Sequence, residues 1–208
     1  MGIERVEAVA DMLRPEFEAL GFTVTWKPMD AVKRAGHFIA VHKGRAGTTK
    51  MLLIGHLDVV VANPKDWTRD PYKMVEENGY FYGRGTADMK AMDAIWVDTM
   101  IRFKESGYRP KRTIKLALTC GEETSWAFNG MKWLAQNRPE LIAAEFALNE
   151  GGRIHEVDGK VTYVGVSTTE KVPRPFLISA KGTSGHASRP RADNAIVHLC
   201  AAVAKVGE

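Results

Sequence analysis

Three apolar runs in this chain end on side chains that can ligate a metal or carry a proton. Met51-Leu-Leu-Ile54 leads into GHLDVV, with His56 and Asp58; TIKLALTC leads into GEET, with Glu122 and Glu123; AEFAL leads into NEGG, with Glu150. A further acid, Asp88, stands in GYFYGRGTADMK, where a glycine-rich loop meets the start of a helical pattern. His56 and Asp58 are two apart, so on an extended chain they point to one side. Taken singly, each acid reads as a solvated loop carboxylate, and Asp88 as a helix N-cap or first-turn acid. Taken together they repel one another unless a cation neutralises them. One imidazole among carboxylates suits Zn²⁺, or Mn²⁺ or Co²⁺, while the absence of thiolate ligand spacing argues against a structural zinc site. Adjacent glutamates can then divide labour, one binding metal and the other left free as a general base.

The elements that must position these residues follow from periodicity. Ile3, Val6, Val9, Met12, Leu13, Phe17 and Leu20 recur at helical spacing and stop before Gly21. Residues 22–26, 37–41, 51–54, 113–119 and 144–148 read as strands, and 88–104 and 125–136 as helices. Strands alternating with helices predict an α/β fold with a largely parallel sheet covered on both faces, which places ligands outside the carboxyl ends of the strands. Residues 161–166 and 176–180 add strand-like runs, and 194–206 a last amphipathic helix. The prolines of KVPRP, residues 171–175, mark the expected boundary between a catalytic domain, 1–173, and the beginning of a second domain, 174–208.

Composition narrows the function classes. The 208 residues are 45% hydrophobic and carry a net charge of +4. The positive residues are scattered apart from Arg109, Lys111 and Arg112, and nucleic-acid binding wants a patch or stripe. No stretch is long and apolar enough to span a bilayer, and residues 1–20 do not pattern as a signal peptide, so a cytoplasmic location is the default expectation. Cys120 and Cys200 match no zinc or redox spacing and read as core thiols in a reducing compartment. GRGTAD lacks the third glycine of a dinucleotide fingerprint, GRAGTTK is not a P-loop, TSGH is not a nucleophile elbow, and no H-E-x-x-H occurs.

GHLDVV, DWTRDPY with NGYFYGRGTADMKA, TCGEET, LNEGG and SGHASRP, in that order and spacing, resemble the aminoacylase/carboxypeptidase family of co-catalytic di-zinc metallopeptidases. That family includes carboxypeptidase S-like peptidases, acetylornithine deacetylase and succinyl-diaminopimelate desuccinylase. The resemblance implies a hydrolase that cleaves a peptide or acyl-amide bond next to a free carboxylate, on small peptides or N-acyl amino acids, with two Zn²⁺ per complete site and Co²⁺ or Mn²⁺ as substitutes. It makes His56 a metal ligand, Asp58 its orienting carboxylate, Asp88 a bridge between two ions, Glu150 a further ligand on the His56 side and Glu123 a ligand on the other. Glu122 becomes the general base, and His186 a lid-domain histidine that stabilises the oxyanion in the partner subunit of a homodimer. The peptide bond after Asp88 is expected to be cis. The family's remaining ligand is a histidine from a segment after the lid, which falls beyond Glu208; His198, inside a helical run, does not replace it. A chain lacking that ligand is expected to hold the Glu123-side ion weakly, and the alternative expectation is an impaired relative that serves as a binding module with partial metal binding.

Overall fold

A computed structural model describes residues 6–28, 35–45, 49–123, 128–166, 171–172 and 174–207. The chain divides into two compact units, Met1–Gly152 and Arg153–Glu208.

The first unit is built around five strands: β1 (Thr23–Pro28), β2 (Gly36–His42), β3 (Lys50–His56), β6 (Thr113–Thr119) and β7 (Phe146–Leu148), in the spatial order β1-β2-β6-β3-β7. Only β2 runs against its neighbours; β3 is parallel to both β6 and β7. Every residue of β6 is buried, which is why TIKLALT is apolar between its terminal threonines apart from Lys115. The Lys115 ammonium escapes at its tip, donating to the Glu140 carbonyl at 2.8 Å.

Helices cover both faces. On one, α1 (Val6–Ala19) turns Val6, Ala10, Leu13 and Phe17 inward, and with Met100 of α2 (Ala91–Glu105) these pack on Phe38, Ala40, Leu53, Leu116 and Leu118. On the other, Leu134 of α3 (Gly130–Asn137) packs on Ile39, Leu52 and Ala117, joined by residues of α4 (Pro139–Ile142). Ile54 and Met131 border this second cluster, so the face of β3 that carries His56 is the face α3 covers. A small hairpin, β4 (Val75–Glu77) with β5 (Tyr80–Tyr82), precedes the GRGTAD loop. No described helix is long and apolar enough to cross a membrane.

Within the second unit, β8 (Arg153–Val157) pairs antiparallel with β9 (Lys160–Gly165), and α5 (Ala195–Val206) starts at Asn194, whose side chain accepts from the N–H groups of Ile196 and Val197.

Three local expectations need correction. The helix expected from residue 88 starts at Ala91, after a π turn over Thr86–Lys90 in which Asp88 and Met89 are not helical. The run at 176–180 is not a strand: Phe176 and Leu177 are exposed and no described strand pairs with them. The helix expected from 125 begins at Gly130, where Asn129 Oδ1 caps the N–H of Lys132. The start of that expected helix falls in 124–127, outside the described residues, as do residues 1–5 of the first helix.

Candidate metal and active site

β3, β6 and β7 are parallel, so their carboxyl ends meet at one edge of the sheet, and the acids that follow each strand are delivered there. His56, the last residue of β3, is 2% exposed. Its Nε2 lies 3.1 Å from Asp88 Oδ1, 3.6 Å from Glu150 Oε1 and 4.0 Å from Glu122 Oε2. Two groups of ligand atoms lie within 4.8 Å of one another: His56 with Glu122 and Glu150, and His56 with Asp88 and Glu123. The strand ends and the GRGTAD loop therefore bring together five of the seven expected site residues, with Asp58 directly beneath them. His186 belongs to the second unit, where its Nδ1 pairs with the Ser188 hydroxyl at 2.8 Å on an exposed loop.

Asp58 is completely buried and does two jobs. Its main-chain carbonyl lies 3.0 Å from His56 Nδ1 and accepts that ring N–H, which turns Nε2 toward the acids. Its carboxylate, 3.9 Å from the ring, accepts instead from the backbone N–H groups of Gly121, at 2.8 Å, Glu122, at 3.4 Å, and Glu123, at 3.0 Å. One carboxylate thus fixes the loop that carries both glutamates. Gly121 is required in that loop: its φ of +85° is left-handed, and a Cβ there would meet the Phe128 ring at 2.5 Å.

The Asp88 loop is anchored separately. The Asp88–Met89 peptide is cis, Met89 is buried with its Sδ 3.2 Å from the His56 N–H, and Lys90 Nζ donates to the Leu57 carbonyl at 2.7 Å. Beneath the site, Asp93 of α2 is buried with neither carboxylate oxygen hydrogen-bonded. A Cβ on Gly55 would sit 2.0 Å from its Oδ1, so only glycine lets the helix press this acid against β3. Burial pushes the Asp93 carboxyl up to about 7, against the pull of Lys90 and His56.

The electrostatics report unneutralised negative charge. Burial alone would lower the His56 imidazole, but the Asp58 carbonyl and the carboxylates of Asp58, Glu150 and Glu122 hold it above its ordinary value. Burial, with Asp88 and Glu122 adding repulsion, raises Glu150 despite His56; burial and Asp88 likewise raise Glu123. Oxygen donors and one oriented imidazole nitrogen, crowded until Glu123 and Glu150 resist ionising, fit a divalent cation of the zinc class.

Residues missed in the sequence are the supporting ones. Asp93 was legible as an acid inside the apolar run AMDAIW, and Asn129 as a cap residue just before the helical period of GMKWLAQ.

The sequence profile of peptidase family M20/M25/M40 matches residues 52–206. The chain is 41% identical over 95 residues to a β-Ala-Xaa dipeptidase of Lactobacillus delbrueckii subsp. lactis, covering 45% of this chain and 20% of that protein. It is 31% identical over 194 residues to an acetylornithine deacetylase of Erwinia tasmaniensis, covering 91% of this chain and 45% of that protein. The crystal structure of aminopeptidase PepT from Bacillus cereus superposes with a TM-score of 0.55 at 26% identity, over 74% of this chain and 40% of that one. The chain thus spans less than half the length of these relatives.

Proposed function

This chain belongs to peptidase family M20/M25/M40, and from that membership we propose that it hydrolyses a peptide or acyl-amide bond next to a free carboxylate, in small peptides or N-acyl amino acids. The observation that carries the proposal is the buried His56 Nε2 facing Asp88, Glu122 and Glu150 at the sheet's carboxyl edge. His56, Asp88 and Glu150 would hold one divalent ion, and Asp88 and Glu123 a second, with zinc the metal best matched to this donor set. When bound, the metal supplies Lewis acidity toward the scissile carbonyl and toward the attacking water.

The chain's own residues do the rest. Glu122 is half-exposed, with Oε2 4.0 Å from His56 Nε2, so its carboxylate can collect a proton from the attacking water and deliver it to the leaving amine. Asp58 holds Glu122 and Glu123 in register through their main-chain N–H groups and sets the tautomer of His56 through its carbonyl. His186, exposed on its loop, is free to donate to the developing oxyanion of a paired subunit. Residues 174–208 would then open a lid through which two subunits pair.

The test is a panel of N-acetyl amino acids and dipeptides offered to the zinc-loaded chain, with and without a chelator. Chelator-sensitive release of free amino acid supports the proposal. Absence of turnover on every member, at full zinc occupancy, contradicts it.

A further inference from the structure

Beside the acidic cluster the first unit has a recess of about 200 Å³, lined by His56 and Glu122 of that cluster together with Ile54, Thr119, Asn129, Met131 and Asn149. It lies where α3, which covers the His56 face of β3, begins at Gly130, whose N–H donates to the Cys120 carbonyl at 3.0 Å just after β6.

Its size and lining restrict what can enter. At about 30 Å³ for each water-sized group, the recess accommodates about six or seven non-hydrogen atoms, below the range of about 300 to 1,000 Å³ of drug-sized sites. Ile54 and Met131 give it apolar lining. Asn129 Oδ1 is spent on the Lys132 N–H, at 2.9 Å, which leaves its amide hydrogens to donate. Thr119 spends its hydroxyl hydrogen on the Gly55 carbonyl, at 3.2 Å. No lysine or arginine is among the described residues that line the recess, so a carboxylate entering it would be buried without a cationic partner from them, which is costly.

We infer that this recess receives the acyl arm of the scissile amide and limits it to a short, uncharged group, acetyl to butyryl, with at most one hydrogen-bond acceptor at its tip. The inference rests on the hydrolase reading above. The acyl carbon must lie where Glu122 can serve the attacking water, and what is bonded to that carbon extends into the adjoining gap. The amino-acid half, which carries the free carboxylate, finds no cation among the described lining residues and leaves on the other side.

The test uses the 208-residue chain, zinc-loaded, with acetyl, butyryl, dodecanoyl and succinyl derivatives of one amino acid. We expect kcat/KM to drop about 100-fold from butyryl to dodecanoyl and about tenfold or more from butyryl to succinyl. Met131→Trp, which narrows the recess, should cut butyryl turnover about tenfold more than acetyl turnover, and Met131→Ala should move tolerance toward longer arms. Asn129→Ser keeps a helix cap and so checks that losses come from the missing amide and not from an unfolded α3. Turnover that ignores acyl length and Met131 overturns the inference while leaving the hydrolase reading intact. A readout independent of turnover is the Met131 methyl resonance, identified by its loss in Met131→Leu, during titration with butyramide, succinate or dodecanoate. A shift with butyramide alone supports the recess even if no amide is cleaved, and no shift with butyramide contradicts it.

Discussion

His56 and His186 are built into opposite surroundings. His56 is buried, held from behind by a carbonyl, backed by a methionine sulfur at its own N–H and faced by acids on several sides. His186 is exposed, and its ring meets Ser188 of its own loop through that residue's hydroxyl and main-chain N–H. Fixed ligation needs a ring whose tautomer and direction are settled before the metal arrives, and strand ends with buried support supply that. A group that meets the substrate for one step needs reach, which a loop supplies. The contrast predicts that substitutions at His56 itself alter metal binding, rate and folding together, whereas substitutions at His186 alter rate alone.

The largest effect expected is at Glu122. Glu122→Gln should lower hydrolysis about 10²- to 10⁴-fold with zinc content unchanged, because a positioned proton carrier contributes on that scale. Glu123→Gln should lose zinc as well as rate, and metal analysis of both variants alongside their turnover separates the two roles. Equal metal loss in both would erase the proposed division.

Asp58→Asn comes next. It leaves the carbonyl that orients His56 but weakens an acceptor shared by three main-chain N–H groups. Hydrogen bonds to a charged group contribute about 1.5 to 3 kcal/mol, so chemical denaturation should show a loss of about 2 kcal/mol or more. A variant as stable as wild type would show that the loop holds its glutamates without this carboxylate.

Asp93 gives a pH signature. Its folded carboxyl keeps a proton up to about 7, whereas an unfolded aspartate releases it near 4, so between these values the unfolded state binds fewer protons. Stability from this group is therefore lost as pH rises through that window, at most about 1.4 kcal/mol per unit. Asp93→Asn should flatten the decline in urea midpoints of the metal-free protein between about pH 4 and 7. An unchanged slope would place the titration elsewhere.

The smallest effect belongs to His186→Ala, which should change stability by no more than about 0.5 kcal/mol, as for other exposed positions, and leave zinc binding unaltered. Any loss of zinc in this variant would break the contrast between the two histidines.

Much of this was legible in the sequence because the sheet repeats one rule three times: apolar strand, then acid or imidazole. The period of MLLI and TIKLALT fixed which strands are central, and the parallel order carried His56, Glu122 and Glu150 to one edge. What sequence periodicity could not show was how contacts distant in sequence are satisfied. The π turn that displaces Asp88 from its expected helix depends on Met89 being buried under His56. The division of Asp58 into a carbonyl for the ring and a carboxylate for the Gly121 loop joins residues about sixty positions apart. Phe176, Leu177 and Ile178 form an apolar run like a strand's, yet a strand is completed only by a partner, which pattern alone does not supply.

Zinc titration of the metal-free chain, read by calorimetry and by bound metal after dialysis, tests the central claim most directly. The expected result is saturable zinc uptake that is abolished in His56→Ala and retained in His186→Ala. Zinc uptake by His56→Ala equal to that of the unaltered chain, or no uptake by the unaltered chain, would contradict the assignment of the strand-end cluster as the metal site.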